Sequence, residues 1–125
     1  MLRQLSGLGI KGRARKRSFK RMRPEQFDIV VLDPPRRAKS PFGAVDTVND
    51  YQSLLKPALL CTKPAGKLLI TNNVASVNRS HWQELVQRCA IKAGRPIQQW
   101  DWIEPETDFP SPDQQPPLKL AWISL

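Results

Sequence analysis

The run Phe27-Asp28-Ile29-Val30-Val31-Leu32-Asp33-Pro34-Pro35-Arg36 constrains this chain more than any other segment. A short apolar strand, Ile29 to Asp33, ends in an aspartate and is stopped by two prolines. An apolar run of this kind matches a parallel-sheet strand buried on both faces. Such strands deliver functional groups at their carboxyl ends, where open α/β sheets bind ligands. Proline removes backbone donors and fixes φ, so the chain must leave the sheet there. The expected product is one carboxylate and a stiff stretch of carbonyls at the rim of a cleft.

The rest of the chain supplies elements to pack around that strand. Leu2, Leu5 and Leu8 have helical spacing, and Gly7, Gly9 and Gly12 end that helix. Lys11 to Arg23 is a basic stretch. Pro34 to Val48 reads as a loop carrying Arg36, Arg37 and Lys39. Asp50 caps a helix over Tyr51 to Cys61, in which Pro57 predicts a kink or a restart. Lys63-Pro64-Ala65-Gly66 reads as a helix-stop turn before a second strand, Lys67 to Thr71. Asn72 to Arg79 is polar and loop-like. Ser80 with Gln83 forms a capping-box pattern for a helix of about His81 to Ala93, ended by Gly94. Ile97 to Ile103 is a third strand, Glu104 to Pro117 a proline-rich loop, and Leu118 to Leu125 a last strand. Two βαβ crossovers follow from this order. The last two strands, joined by a loop, must pair antiparallel if they are neighbours.

Charge divides the chain into residues 1–24 and residues 25–125. The first part holds Arg3, Lys11, Arg13, Arg15, Lys16, Arg17, Lys20, Arg21 and Arg23 and no acid, so it carries the whole net charge of +9. A segment this basic points to a phosphate-backbone partner or to a solvated surface tail. The remainder is neutral and expected to be globular. Cys61 and Cys89 lack metal-ligand spacing and read as buried reduced thiols of a cytoplasmic protein, with no metal site. No window reaches the ~18 apolar residues of a membrane span, and no signal peptide is visible.

The element order, with Asp33-Pro34-Pro35 closing its first strand, resembles the C-terminal half of a class I S-adenosylmethionine-dependent methyltransferase. The runs Leu32 to Ser40, Asp50-Tyr51, Gly66 to Thr71, and Asp108-Phe109-Pro110 leading to Leu118-Lys119 are similar to the large-subunit ribosomal RNA cytosine methyltransferase family. The likeness covers about residues 25–125. It implies a Rossmann-like α/β half-domain with three parallel strands, a reversed last strand and helices on the faces. It also implies S-adenosylmethionine as cofactor and ribosomal RNA as partner.

Two departures bear on that implication. The family's Gly-rich cofactor turn and the strands that hold the ribose and adenine are expected to be absent, so this chain alone should bind the cofactor weakly or not at all. Gly7-x-Gly9-x-x-Gly12 fits a dinucleotide pattern but follows no strand and is flooded with basic residues. The cytosine-C5 enzymes also place a nucleophilic cysteine after the fifth strand, where this chain reads Thr71-Asn72-Asn73-Val74-Ala75-Ser76.

Within this frame Asp33 would accept a hydrogen bond from a base N–H, with Pro34 and Pro35 shaping the catalytic rim. The bland reading is a capping aspartate. Methyl transfer needs mainly positioning and electrostatics. Arg36 stands where amino-methylating enzymes carry a stacking aromatic; a guanidinium can stack on a base or bind phosphate. Arg36, Arg37, Lys39, Asn72 and Asn73 are the candidate substrate contacts. Lys11, Arg13, Arg15, Lys16, Arg17, Lys20, Arg21 and Arg23 are candidates for RNA backbone, the alternative being a solvated insertion. His81 reads as an exposed first-turn residue, and the four tryptophans as packing. The alternative function is a non-catalytic RNA-binding or assembly protein that keeps the substrate half. An ATPase ranks last for want of a phosphate loop. The strand ending at Asp33 should expose an unpaired apolar edge, open to self-association or a partner chain.

Overall fold

The computed structural model describes residues 5–6, 25–35, 37–40, 43–46, 50–106, 111 and 116–125; for 37–40 and 43–46 the backbone alone is described. The elements run β1 (Phe27–Leu32), β2 (Arg37–Ser40), β3 (Gly43–Asp46), α1 (Tyr51–Cys61), β4 (Thr62–Asn72), α2 (Arg79–Lys92), β5 (Gln99–Ile103) and β6 (Lys119–Ser124). Four strands form one sheet in the order β1-β4-β6-β5. β1 pairs parallel with β4, and β6 pairs antiparallel with both β4 and β5. Three strands therefore share one direction and the last is reversed, as the sequence predicts.

Alternation sorts the sheet into two unlike faces. On one face the rows Val30–Leu68–Ile123–Trp100 and Leu32–Ile70–Ala121–Trp102 lie side by side. α1 covers this face with Leu55, Ala58 and Leu59, and α2 with Trp82, Val86 and Ala90. Leu55 and Leu59 are fully buried, a gain of about 1.5–3 kcal/mol for each leucine relative to exposure. Both described helices lie on this one face. On the other, Ile29 and Val31 are 60% and 56% exposed. Burial of β1 on both faces is thus corrected: its apolar run alternates between a covered and an open side.

Five local expectations also change. Residues 37–46 include a β2–β3 hairpin within the expected loop, with Arg37 opposite Asp46 and Ser40 opposite Gly43. Its strands are mostly small or polar, so no hydrophobic period betrays them. Lys63–Gly66 is a bulge within β4 rather than a turn before it: β1 advances from Phe27 to Ile29 while β4 advances from Thr62 to Lys67. Ala65 adopts φ 60° there. Pro57 lies buried inside one continuous α1, and Asp50 stands at its N-cap without a side-chain cap bond. The cap of α2 is Asn78, not Ser80. Its Oδ1 accepts from the backbone N–H of Ser80 at 2.8 Å and of His81 at 3.4 Å.

Gly94 ends α2 as expected. It takes φ 68°, while Arg95 N–H donates to Ala90 O at 2.9 Å and Gly94 N–H to Ile91 O at 3.0 Å. That is a Schellman stop, which favours glycine. Leu5 packs against the core, and Glu25 N–H donates to Leu5 O at 2.7 Å. The basic stretch Lys11–Arg23 lies outside the described residues. No described helix is long and apolar enough to cross a membrane.

Candidate functional site

Register brings the carboxyl ends of β1 and β4 to one rim. Leu32 pairs with Ile70, so Asp33 and Thr71 come next on adjacent strands. The Thr71 hydroxyl donates to Asp33 Oδ1. Thr71 is itself held from behind, because the Tyr51 hydroxyl donates to its carbonyl at 3.0 Å. Tyr51, the first residue of α1, is buried against Trp82, ring centroids 5.8 Å apart. Burial, chiefly, pushes its phenol up, so it remains a protonated donor through neutral pH. Asp33 is exposed, and its Oδ2 has no hydrogen bond among the described residues. One carboxylate oxygen is anchored, and among the described residues the other is left for a ligand's N–H.

Pro34 is half-buried and Pro35 exposed beside it. Arg36 lies outside the described residues. Arg37 and Lys39 belong to β2. Asn73 is exposed at the end of β4. Asn72 is buried, and its Oδ1 accepts from Val74 N–H at 3.0 Å. This turn bond makes it a loop-former in the structure. His81 is exposed, as expected. Trp82, Trp100 and Trp102 pack together with centroids 5.1–6.2 Å apart.

A cleft of about 500 Å³ opens on the same rim, between residues 75–79, residues 104–105 and residues 116–119. Arg79 spans it: its guanidinium lies 4.2 Å over the Trp102 ring and 2.6 Å from Glu104 Oε1. Lys119 closes the floor, its Nζ donating to Val74 O at 2.9 Å and to Pro117 O at 2.8 Å. Burial, aided by the Arg79 charge, lowers the Lys119 pKa. Thr71, Tyr51, Arg79 and Lys119 escape the sequence reading as site residues. Lys119 left a signal: it shares the covered face of β6 with Ala121 and Ile123, where a lysine is out of place.

No cysteine approaches this rim among the described residues. Cys61 and Cys89 are buried, and burial raises the pKa of each thiol. No group of three or more potential metal ligands occurs among the described residues.

The solved structure of a protein assigned as a methyltransferase, complexed with SAH, superposes on 81% of this chain with a TM-score of 0.61 and 22% identity, the match spanning 27% of that chain. This is a class I methyltransferase fold. A Streptococcus mutans protein assigned as a SAM-dependent methyltransferase shares the fold at a TM-score of 0.60 and 20% identity, over 81% of this chain and 26% of its own. In sequence, the chain is similar to ribosomal RNA large subunit methyltransferase I of Aeromonas salmonicida, 30% identical over 90 residues, covering 72% of this chain and 23% of the relative. The Vibrio vulnificus protein of the same name is 26% identical over 91 residues, covering 73% and 23%. The chain thus spans about a quarter of the length of the curated relatives it matches. No family model matches it.

Proposed function

We propose that this chain forms the substrate-facing part of an S-adenosylmethionine-dependent methyltransferase acting on a base of ribosomal RNA. The observation that carries the reading is the Asp33 carboxylate. It stands at the end of a parallel strand, fixed through one oxygen by Thr71, open at the other, and followed by Pro34-Pro35. An acceptor held this way orients a base N–H without competing for its proton. The resemblance to ribosomal RNA methyltransferases supplies the substrate class, with Arg36, Arg37, Lys39 and the Lys11–Arg23 stretch as phosphate contacts. A substrate of this kind supports a cytoplasmic location.

The cofactor implied by the resemblance fits the described residues poorly. Of their glycines, Gly43 begins β3, Gly66 lies in the β4 bulge and Gly94 ends α2. None opens a turn from a parallel strand into a helix, the backbone that receives a nucleotide cofactor. The described residues would therefore bind and orient the base. That observation favours, as a second reading, a non-catalytic RNA-binding protein. It also leaves the free edge of β1 as a pairing surface for a second copy or another chain.

Titration calorimetry with S-adenosylmethionine, followed by transfer of labelled methyl to unmodified large-subunit RNA, separates the two. Label in the RNA that falls about a hundredfold in Asp33→Asn supports the catalytic reading. Tight RNA binding with neither cofactor heat nor label replaces it with the second.

A further inference from the structure

Lys119 poses a physical problem that the sheet does not answer. It is 8% exposed, on the covered face of β6. Its ammonium meets two neutral carbonyls, Val74 O and Pro117 O, and no carboxylate within ion-pair distance among the described residues. Among the described residues these two acceptors leave the third N–H unused. A buried cation without an anion is costly, and an apolar residue of similar size would be the stable choice. The lowered pKa, caused first by burial and then by the Arg79 charge, reports that cost. A cation kept at the floor of a cleft under these terms is suited to an anion that arrives from outside.

The cleft above it is built for more than a bare anion. Arg79 lies over the Trp102 ring and is held by Glu104. A guanidinium carried on an indole offers a planar cationic surface, on which nucleobases stack. Glu104 balances Arg79, so among the described residues the Lys119 charge is left over. Pro105, Pro116 and Leu118 supply apolar walls. Lys119 pairs with Asn72 across β4, and β4 adjoins β1. The cleft therefore opens two strand spacings, about 10 Å, from the strand that ends at Asp33.

We propose that this cleft is a nucleotide subsite for single-stranded RNA, in which Lys119 receives a phosphate oxygen and the Arg79–Trp102 stack supports the adjoining base. This deepens the reading above and rests on RNA being the ligand. A strand presenting one base to Asp33 would lay its neighbouring nucleotide here.

The test uses the full chain and a short fluorescein-labelled oligouridylate. Anisotropy is measured across a salt series, alongside amide NMR shifts of the unlabelled complex. The wild-type chain should show shifts centred on residues 77–79 and 118–120. Lys119→Met should lose those shifts, bind about tenfold more weakly, and lower the slope of log K against log salt by about 0.7, one single-strand phosphate contact. Arg79→Gln, at an exposed position, should weaken binding severalfold. Lys63→Gln, at the opposite end of the sheet, should bind within twofold of wild type. Wild-type shifts that avoid the cleft overturn the proposal. So does Lys119→Met that loses stability but binds with the wild-type slope, which would make Lys119 a clamp for two loop carbonyls. If Lys119→Met fails to fold, Arg79→Gln decides, and wild-type affinity in that variant overturns the proposal. Methyl transfer is not read here, so failure of the catalytic reading leaves this result standing.

Discussion

The Thr71 hydroxyl donates to Asp33 Oδ1 across two adjacent parallel strands, and this bond fixes the direction of the carboxylate at the sheet rim. Thr71→Val keeps the shape and removes the donor. The expected loss is about 1 kcal/mol, the net worth of one such bond, since Asp33 regains water. Tyr51→Phe should cost more, about 1–3 kcal/mol, because it orphans the Thr71 carbonyl inside the core. Urea denaturation of both variants measures the order. Thr71→Ser should restore the donor and recover most of the stability lost in Thr71→Val.

Much of this arrangement was legible in the sequence, and the reasons differ by residue. The strand, the two-proline stop and α1 follow from hydrophobic period and backbone chemistry, both local. The reversed β6 follows from a connection without a helix. Thr71 was not legible, because its role depends on Leu32 pairing with Ile70, a register no local pattern sets. The β2–β3 hairpin was hidden because its residues do not alternate in polarity. Asn78 was passed over for Ser80 because the Ser80–Gln83 pair fits a capping box, whereas the loop geometry lets Asn78 reach two N–H groups first. Arg79 and Lys119 meet only through the fold, 40 residues apart in sequence.

Gly66 is required by a close approach rather than by a positive φ. A Cβ at this position would stand 2.8 Å from Lys63 O and 3.1 Å from Asp28 O. Both are backbone atoms at the bulge where β4 rejoins β1, so neither can swing away. Gly66→Ala should destabilise the chain by about 1–3 kcal/mol, the usual cost of overpacking. Its urea midpoint should fall, while a solvent-exposed substitution such as Gln87→Ala stays within about 0.5 kcal/mol of wild type.

Lys119 also predicts a pH dependence. Its folded pKa lies below the ordinary 10.5, so the unfolded chain binds this proton more tightly. Between the two values the unfolded state holds more protons, and stability rises with pH through that window. Tyr51, Cys61 and Cys89 are raised and act oppositely, losing stability as pH climbs above their unfolded values. The wild-type chain minus Lys119→Met isolates the lysine. The advantage of the methionine variant in urea should be largest at neutral pH and shrink toward pH 10.5. A difference that is flat with pH would contradict the burial argument.

The outer edge of β1 is unpaired among the described residues, and Phe27, Ile29 and Val31 are exposed beside it. A bare edge flanked by apolar side chains is a template for another strand, and charged residues are the usual means of blocking it. The free edge should therefore drive concentration-dependent association, measurable by light scattering on a sizing column. Val31→Lys puts a charge on the open face, where any docked layer would have to bury it. Because Val31 is 56% exposed, the substitution should change stability by less than about 0.5 kcal/mol while shifting the chain toward monomer. A wild-type chain that stays monomeric at every concentration would show that the edge is covered by other means.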